Sequence, residues 1–260
     1  MLIFTHDKTR LARHFQKDPV LFAYHLGDLD DAYFSNCQWA ADNATWSAIA
    51  EAILIYNGGS VPTVMAFGLS DRFETLLDEL LDLLPPKFYG HYFLKYRKIF
   101  DRQFVEEPIE TNLKMHLTKE ITPPKEPPLG AYLRFTPDDA ERLLAFYSIA
   151  YPDGYFDVNM LPRGFANGIV VDGAIVAASG VHCVSTDYRV GVLGNIATHP
   201  DWRGKGLASY LTACQAKDLQ DKGCTVCLNV AKENSAAVHC YQKLGFEIKH
   251  EFDDGMFQRC

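Results

Sequence analysis

The sequence lacks several features that would place it in other classes of protein. No stretch of about 18 uncharged apolar residues, long enough to cross a bilayer, occurs in its 260 residues. The N-terminus has no basic start followed by a long apolar run, so it does not resemble a secretory leader. Lysine and arginine total 25 against 33 aspartates and glutamates, and the net charge of -8 argues against a nucleic-acid scaffold. We therefore expect a soluble, cytoplasmic protein with no membrane partner and no nucleic-acid partner.

Cysteines are few and odd in number. Seven in a chain of this length do not make a dense disulfide framework, so we expect reduced thiols in the core. Cys224 and Cys227 are spaced like half of a zinc site, but no second Cys or His pair follows at zinc spacing. An offset of three in an apparent strand also places them on opposite faces. We expect no metal.

Two common phosphate-binding patterns, Gly-x-Gly-x-x-Gly and Gly-x-x-x-x-Gly-Lys-Ser/Thr, are absent, but another glycine turn is present. A β-rich run over residues 188–198 leads through Pro200 into Arg203-Gly204-Lys205-Gly206-Leu207-Ala208 and then into a helix. Proline ends the strand because it cannot donate a ladder hydrogen bond. The glycines permit a tight turn into which the free N–H groups of the helix point. The turn is therefore suited to binding an anion.

The spacing Arg-x-x-Gly-x-Ala at Arg203, Gly206 and Ala208 resembles the pyrophosphate loop of the GNAT acyltransferase superfamily, which binds acyl-coenzyme A. The second part of the family pattern follows in register over residues 228–246, and two ordered motifs are more specific than one. The resemblance covers roughly residues 131–252. It implies an α/β (α+β) fold in which helices flank a mixed, mostly antiparallel central sheet.

A proline-rich segment divides the chain. Residues 122–130 hold four prolines, a composition typical of a stiff extended linker. We predict an N-terminal domain over residues 1–121 and a GNAT acyltransferase domain over residues 131–260. The N-terminal half repeats the order of helices and strands, so we interpret it as a degenerate copy. Its strand-to-helix turn has one glycine and carries Asp71, whose charge opposes a pyrophosphate, so we expect that it has lost the cofactor.

Periodicity and breakers predict the individual elements. In the N-terminal half, helices are predicted over 9–17, 21–29 and 71–84, and strands over 45–50, 52–56, 63–67, 88–94 and 111–117. In the C-terminal half, strands are predicted over 131–135, 167–171, 174–183, 188–198, 224–230 and 246–252, and helices over 138–151, 206–222 and 234–244.

The resemblance implies a set of cofactor contacts, which would otherwise be read as a solvated turn and ordinary strand positions. The pyrophosphate would lie on backbone N–H groups of the glycine turn, and pantetheine along the edge of a strand that splays from its neighbour. Asn234 is suited equally to capping the next helix and to binding the cofactor through its side chain. The implied cofactor-binding residues are Ile196, Ala197, Thr198, Arg203, Gly204, Lys205, Gly206, Leu207, Ala208, Asn229 and Asn234.

The catalytic residues are less completely indicated. In the family a tyrosine at the position of Tyr241 points at the sulfur and can protonate it, whereas most helix tyrosines are simply core aromatics. Many members carry a glutamate as general base at the position that Val192 occupies here. Candidate bases elsewhere, among which the sequence does not choose, are His182, Asp187, Tyr151, Asp153, Tyr155 and Asp157.

The resemblance implies an N-acetyltransferase. An amine or amino-acid-like acceptor would attack acetyl-CoA directly in a ternary complex, with the oxyanion bound near Ile196 and Ala197. The protein would be a monomer or a homodimer. The alternative, favoured by Val192, is a non-catalytic acyl-CoA-binding or regulatory module.

Overall fold

A computed structural model describes residues 1–45, 48–152, 154 and 156–260. The chain divides into two units. The N unit comprises Met1–Lys114, Val230–Asn234 and Ile248–Cys260, and the C unit comprises Met115–Asn229 and Ser235–Glu247. This division differs from the predicted domains, because the segment 122–130 falls inside the C unit and the end of the chain returns to the N unit.

The N unit begins with strand β1 (Leu2–Phe4). Three helices follow, α1 (Lys8–Phe15), α2 (Ala23–Gly27) and α3 (Asp31–Phe34), and then strands β2 (Cys37–Thr45), β3 (Ala48–Tyr56) and β4 (Thr63–Ala66). The remaining elements up to the unit boundary are α4 (Arg72–Leu80), β5 (Lys87–Tyr92), α5 (Arg97–Phe100) and β6 (Phe104–Leu117).

The C unit begins its regular structure after the proline-rich segment. It contains β7 (Ala131–Arg134), α6 (Ala140–Ala150), β8 (Asn167–Val171), β9 (Ala174–Ser185), β10 (Val190–Thr198), α7 (Leu207–Asp221), β11 (Thr225–Ala231) and α8 (Ser235–Leu244). The last strand, β12 (Phe246–Arg259), starts here and ends in the N unit. No helix in the described ranges combines the length and the apolar character needed to span a bilayer.

Strand β12 explains the departure from the predicted boundary. It was expected to end near residue 252, but it continues to Arg259 and pairs antiparallel with β5, from Asp253 opposite Tyr92 to Gln258 opposite Lys87. The end of β12 therefore pairs with a strand that is far away in the sequence. The C-terminal residues therefore belong to the core of the N unit, where Phe257 is fully buried.

Within each unit the sheet is mixed and mostly antiparallel, as predicted. In the N unit the strand order is β1-β2-β3-β4-β5-β12, and β4 with β5 is the parallel pair. In the C unit the order is β11-β10-β9-β8-β7, and β10 with β11 is the parallel pair. In both units the parallel pair is connected through one helix, α4 in the N unit and α7 in the C unit.

Helix packing follows the sequence pattern. The apolar stripe of α4 is buried through Phe73, Leu76, Leu77 and Leu80. Its last predicted turn tightens into a 3-10 turn over Leu81–Leu83, close before two prolines that cannot continue a helix. Helix α7 buries Leu207, Tyr210 and Leu211 against the sheet of the C unit.

The proline-rich segment 122–130 adopts neither helix nor strand. Just before it, Gln220 of α7 binds the chain twice: its Nε2 donates to the carbonyl of Lys119 at 2.8 Å, and its Oε1 accepts from the N–H of Ile121 at 3.0 Å. Lys125 in the middle of the segment is exposed. The segment is therefore fixed to the C unit near one end and open to solvent in its centre.

Candidate functional site

The parallel strands β10 and β11 separate part of the way along their length. Their register runs from Val190 opposite Thr225 to Leu193 opposite Leu228 and stops there, although β10 continues to Thr198. Within the described residues, the rest of β10 has no partner in β11. Ile196, Ala197 and Thr198 thus lie on the segment of β10 that the resemblance expected to be splayed.

A β-bulge interrupts β10 at the same point. The register with β9 passes from Gly194 opposite Gly180 to Ala197 opposite Ala178, which leaves one extra residue on β10. Within the bulge, Asn195 has a φ of 53°, in the left-handed region that few non-glycine residues occupy. Its carbonyl accepts a hydrogen bond of 2.8 Å from the hydroxyl of Tyr147.

After β10 the chain forms the glycine turn. A 3-10 turn over Pro200–Trp202 is followed by Gly204 and Gly206, with φ angles of 76° and 77°. A Cβ at Gly204 would meet no atom within 4 Å, and one at Gly206 would meet only Pro128 Cγ at 3.7 Å. Helix α7 starts at Leu207, so the unbonded N–H groups of its first turn, including that of Ala208, border this open space. The turn fits a pyrophosphate.

Two cations belong to this turn. Arg203 Nε donates to the carbonyl of Thr198 at 3.3 Å, and Lys205 Nζ donates to the carbonyl of Asp201 at 3.4 Å. The Lys205 ammonium also lies 4.3 Å from the centroid of the Trp202 ring. Both side chains are exposed, so they add positive charge on the solvent side of the turn.

The two asparagines have different surroundings. Asn229 lies on β11 just after the last pair with β10, and its Oδ1 is buried with no hydrogen-bond partner among the described residues. Such an orphaned acceptor fits an amide-bearing ligand along the strand edge. Asn234 is exposed and directly precedes α8, and its backbone N–H donates to the carbonyl of Ala231 at 2.9 Å. This arrangement suits both proposed uses of its side chain.

Tyr241 is the one buried side chain of α8, with 8% of its surface exposed. Its ring lies edge-on to Phe246, with centroids 6.0 Å apart. Burial, reinforced by the nearby Cys240 and Tyr151, raises the pKa of the Tyr241 phenol above its usual value of 10. The hydroxyl therefore keeps its proton at neutral pH, as a proton donor must.

Among the candidate bases, the structure brings His182 to the bulge. Val192 and Leu193 are successive residues of β10, and they pair with Cys183 and Val181 of β9. His182, between these two partners, is therefore an extra residue of β9. A Cβ on Gly194 would collide with Cδ2 and Nε2 of His182, so the imidazole edge covers this glycine. Gly194 and Val192 share one face of β10 because side-chain directions alternate. The imidazole therefore lies on the face where the family's glutamate would point.

The remaining candidate bases are placed less favourably or lie where the structure gives no description. Asp187 lies in the turn between β9 and β10, at the opposite end of β10 from the bulge. Asp157 accepts from the N–H of Asn159 at 2.9 Å as the cap of a 3-10 turn. Tyr151 follows the end of α6 and is 45% exposed. Asp153 and Tyr155 lie outside the described residues.

Sequence reasoning missed the surroundings of the bulge. A small cavity beside it is lined by Tyr147, Phe156, Met160, Ser179 and Asn195. The Ser179 hydroxyl and the Asn195 side-chain oxygen are both buried there without a hydrogen-bond partner in the described parts of the chain. The available signal was the asparagine itself, since this residue tolerates left-handed backbone better than most.

Comparisons with known proteins agree with the fold. Residues 168–252 match the family described as FR47-like protein. Mycothiol acetyltransferase from Thermobifida fusca is 42% identical over 60 residues, which are 23% of this chain and only 19% of that enzyme. A Drosophila protein of solved structure superposes with a TM-score of 0.75 at 14% identity, over 98% of each chain. A tandem GNAT protein from the clavulanic acid biosynthesis pathway superposes with a TM-score of 0.60 at 12% identity, over 100% of this chain and 98% of the other.

Proposed function

Since the chain has the fold of tandem GNAT proteins, we propose that it is an N-acetyltransferase that binds acetyl-CoA in the C unit and transfers the acetyl group to an amine. The observation that carries this proposal is the end of the β10–β11 register at Leu193, followed along the same strand by the glycine turn. The amine attacks directly in a ternary complex, with no covalent intermediate on the protein.

The binding residues act mainly through the backbone. N–H groups from Gly204 to Ala208 hold the pyrophosphate, and Arg203 and Lys205 add charge. The separated edge at residues 196–198 and the orphaned Asn229 Oδ1 bind the pantetheine amides. Asn234 contributes either a ligand contact or the cap of α8. Acetyl-CoA supplies the activated thioester.

Three groups of the chain act on the reacting atoms. N–H groups near Ile196 and Ala197 bind the acyl oxygen, where negative charge develops. His182 Nε2 takes the proton that the attacking amine loses. The Tyr241 hydroxyl gives its proton to the departing sulfur, and solvent carries the proton from the imidazolium back to the phenolate.

A non-catalytic acyl-CoA-binding module is the second candidate. The observation that favours it is Val192, a fully buried apolar residue at the position of the family's usual base. The two candidates differ in thioester cleavage and not in binding.

A free-thiol assay with acetyl-CoA and a library of small amines and amino acids separates them. We expect thiol release that depends on one class of amine, together with a rise in melting temperature when acetyl-CoA is added. A melting-temperature rise with no thiol release would favour the binding module. The absence of both effects would contradict both candidates.

A further inference from the structure

The peptide bond between Asn195 and Ile196 is the most constrained point of the bulge. Asn195 is 5% exposed and has a left-handed φ of 53°, a conformation that costs asparagine less than most residues but that only glycine adopts freely. Because the peptide is planar and trans, the Asn195 carbonyl and the Ile196 N–H point in opposite directions. Whatever fixes the carbonyl therefore also fixes the direction of this N–H.

The Tyr147 hydroxyl is what binds that carbonyl. It donates at 2.8 Å from α6 to β10, inside the protein. The Tyr147 ring is itself fixed, with its centroid 4.5 Å from that of Phe156 and 5.2 Å from that of Phe146. Burial raises the pKa of Tyr147, so the hydroxyl remains a donor at neutral and mildly alkaline pH.

We propose that Tyr147 is a positioning residue for acyl transfer: its hydroxyl holds the Asn195–Ile196 peptide in its strained orientation, so that the Ile196 N–H is directed to bind the acyl oxygen. This inference rests on the proposed function. It assigns to α6, which carries none of the residues that the family pattern indicates, a role in shaping the oxyanion-binding strand.

Two features of the bulge indicate that the Tyr147 hydroxyl holds this peptide in place and does more than satisfy its own hydrogen-bonding capacity. The Asn195 side chain is weakly anchored, because its Nδ2 contacts only Met160 Sδ at 3.6 Å and its Oδ1 has no partner within the described residues. Ile196 is also skipped in the β9 register and lies beyond the β11 register. The Tyr147 hydrogen bond is therefore the strong contact that sets the orientation of this peptide.

The first test measures the bulge without catalysis. Amide proton and nitrogen resonances of Ile196 and Ala197 are compared in the full-length wild type, in Tyr147→Phe and in Tyr210→Phe. The control Tyr210 is a buried tyrosine of the same unit, on α7. We expect both resonances to move or broaden in Tyr147→Phe and to stay in place in Tyr210→Phe.

The second test is a double-mutant cycle with Asn195→Gly, in the acetyl-CoA assay with an amine from the library. Glycine adopts the left-handed conformation without strain, so the conformation of the bulge then depends less on the Tyr147 hydrogen bond. We expect Tyr147→Phe to lower kcat by about 100-fold, as a misplaced oxyanion donor does. In the Asn195→Gly background, Tyr147→Phe should lower kcat by less than about tenfold. The two effects are not additive, because the hydroxyl is needed mainly while residue 195 is held in a left-handed conformation that it does not adopt freely.

Unchanged resonances of Ile196 and Ala197 in Tyr147→Phe would overturn the proposal even in an active enzyme. An equal kcat penalty in both backgrounds would also overturn it, since a general loss of stability gives equal penalties. If no amine is acetylated, the proposed function fails, and the resonance test still decides whether Tyr147 holds the Asn195–Ile196 peptide. Should Tyr147→Phe not fold alone, it must fold together with Asn195→Gly, and failure there also counts against the proposal.

Discussion

In both units a strand passes through a turn into a helix. The strand is paired with its parallel neighbour to its end in the N unit, but only along part of its length in the C unit. In the N unit, β4 stays paired with its parallel neighbour β5 to its last residue, Ala66 opposite Tyr92. In the C unit, β10 leaves β11 at Leu193 and continues to Thr198. The same fold therefore does not by itself open the edge of a strand. The opening depends on where the ladder stops and on a bulge that bends one strand.

The turns that follow β4 and β10 also differ, since the first is filled by the protein's own side chains and the second is open. In the N unit the N–H of Leu69 donates to both oxygens of Glu51 at 3.2 Å, and Glu51 is fully buried. Gly68 has no room for a ligand, because a Cβ there would collide with the Phe73 side chain. Glu51 therefore adds a second carboxylate at this turn, whereas the predicted Asp71 directly precedes α4, is exposed and makes no capping bond. We infer that the N unit fills its own anion site, and the following predictions test this contrast.

The largest effect is expected at Tyr241. Tyr241→Phe removes the proton donor and keeps the ring, so kcat should fall by about 100-fold to 10,000-fold. The acetyl-CoA-dependent rise in melting temperature should remain. Because burial raises the pKa of Tyr241 above 10, the wild-type rate should not fall from its ionisation until the pH exceeds that value. Tyr96→Phe, a buried tyrosine of the N unit, is the control. A near-normal kcat in Tyr241→Phe would show that Tyr241 is only a core residue.

Next is the proposed base. His182→Gln removes the proton acceptor, so kcat should fall by about 100-fold with acetyl-CoA binding unchanged. The loss should therefore appear in kcat and not in acetyl-CoA affinity. Initial rates, and melting temperatures with and without acetyl-CoA, measure the two quantities. His239→Gln, an exposed histidine on α8, serves as the control. A near-normal kcat in His182→Gln would exclude His182 as the base.

The glycine turn is tested by placing a β-branched side chain at a left-handed position. Gly206→Val should abolish the stabilisation by acetyl-CoA, which at a hundredfold excess over Kd amounts to about 2.7 kcal/mol. Gly223→Val is a matched control, because Gly223 has a φ of 73°, open space around it and a place at the other end of α7. Both variants carry the same backbone strain. Retained binding in Gly206→Val would move the cofactor site away from this turn.

A smaller effect is expected in the N unit. Glu51→Ala leaves the Leu69 N–H without its acceptor and should cost about 1–3 kcal/mol of stability. Glu51→Gln retains one acceptor oxygen and should cost less. Calorimetric titration should give one coenzyme A per chain in the wild type and in both variants, because β4 and β5 remain paired. Binding of two per chain would show that the N unit has kept a site.

The last prediction concerns the stability of the N unit in acid and involves no ligand. Burial, followed by the charge of Lys114, lowers the pKa of His25 to about 3 in the folded N unit. The unfolded chain takes up this proton near the ordinary histidine pKa of 6.5, so stability is lost as the pH falls below 6.5. The loss approaches about 1.4 kcal/mol per pH unit for this group. Melting temperatures between pH 7.5 and 4.5 should fall less steeply in His25→Phe. Equal slopes would contradict the assignment.

The sequence by itself determined the local structure and the main motif. Helical stripes predicted α4 and α7, and Asp172-Gly173 predicted the β8–β9 hairpin, where both residues have positive φ. Gly204 and Gly206 predicted a tight turn, and both are left-handed. These features depend on neighbours within a few residues, so their physical causes are visible in the chain itself.

Only the tertiary structure decided which distant segments meet. Periodicity does not name a strand's partner, so nothing in the sequence indicated that β12 would pair with β5 and carry the C-terminal residues into the N unit. The bulge at Asn195, its hydrogen bond from Tyr147, the imidazole of His182 over Gly194 and the carboxylate of Glu51 at Leu69 likewise join segments far apart in the chain. Local composition predicts what each segment can form, but strand register and packing decide which atoms face each other.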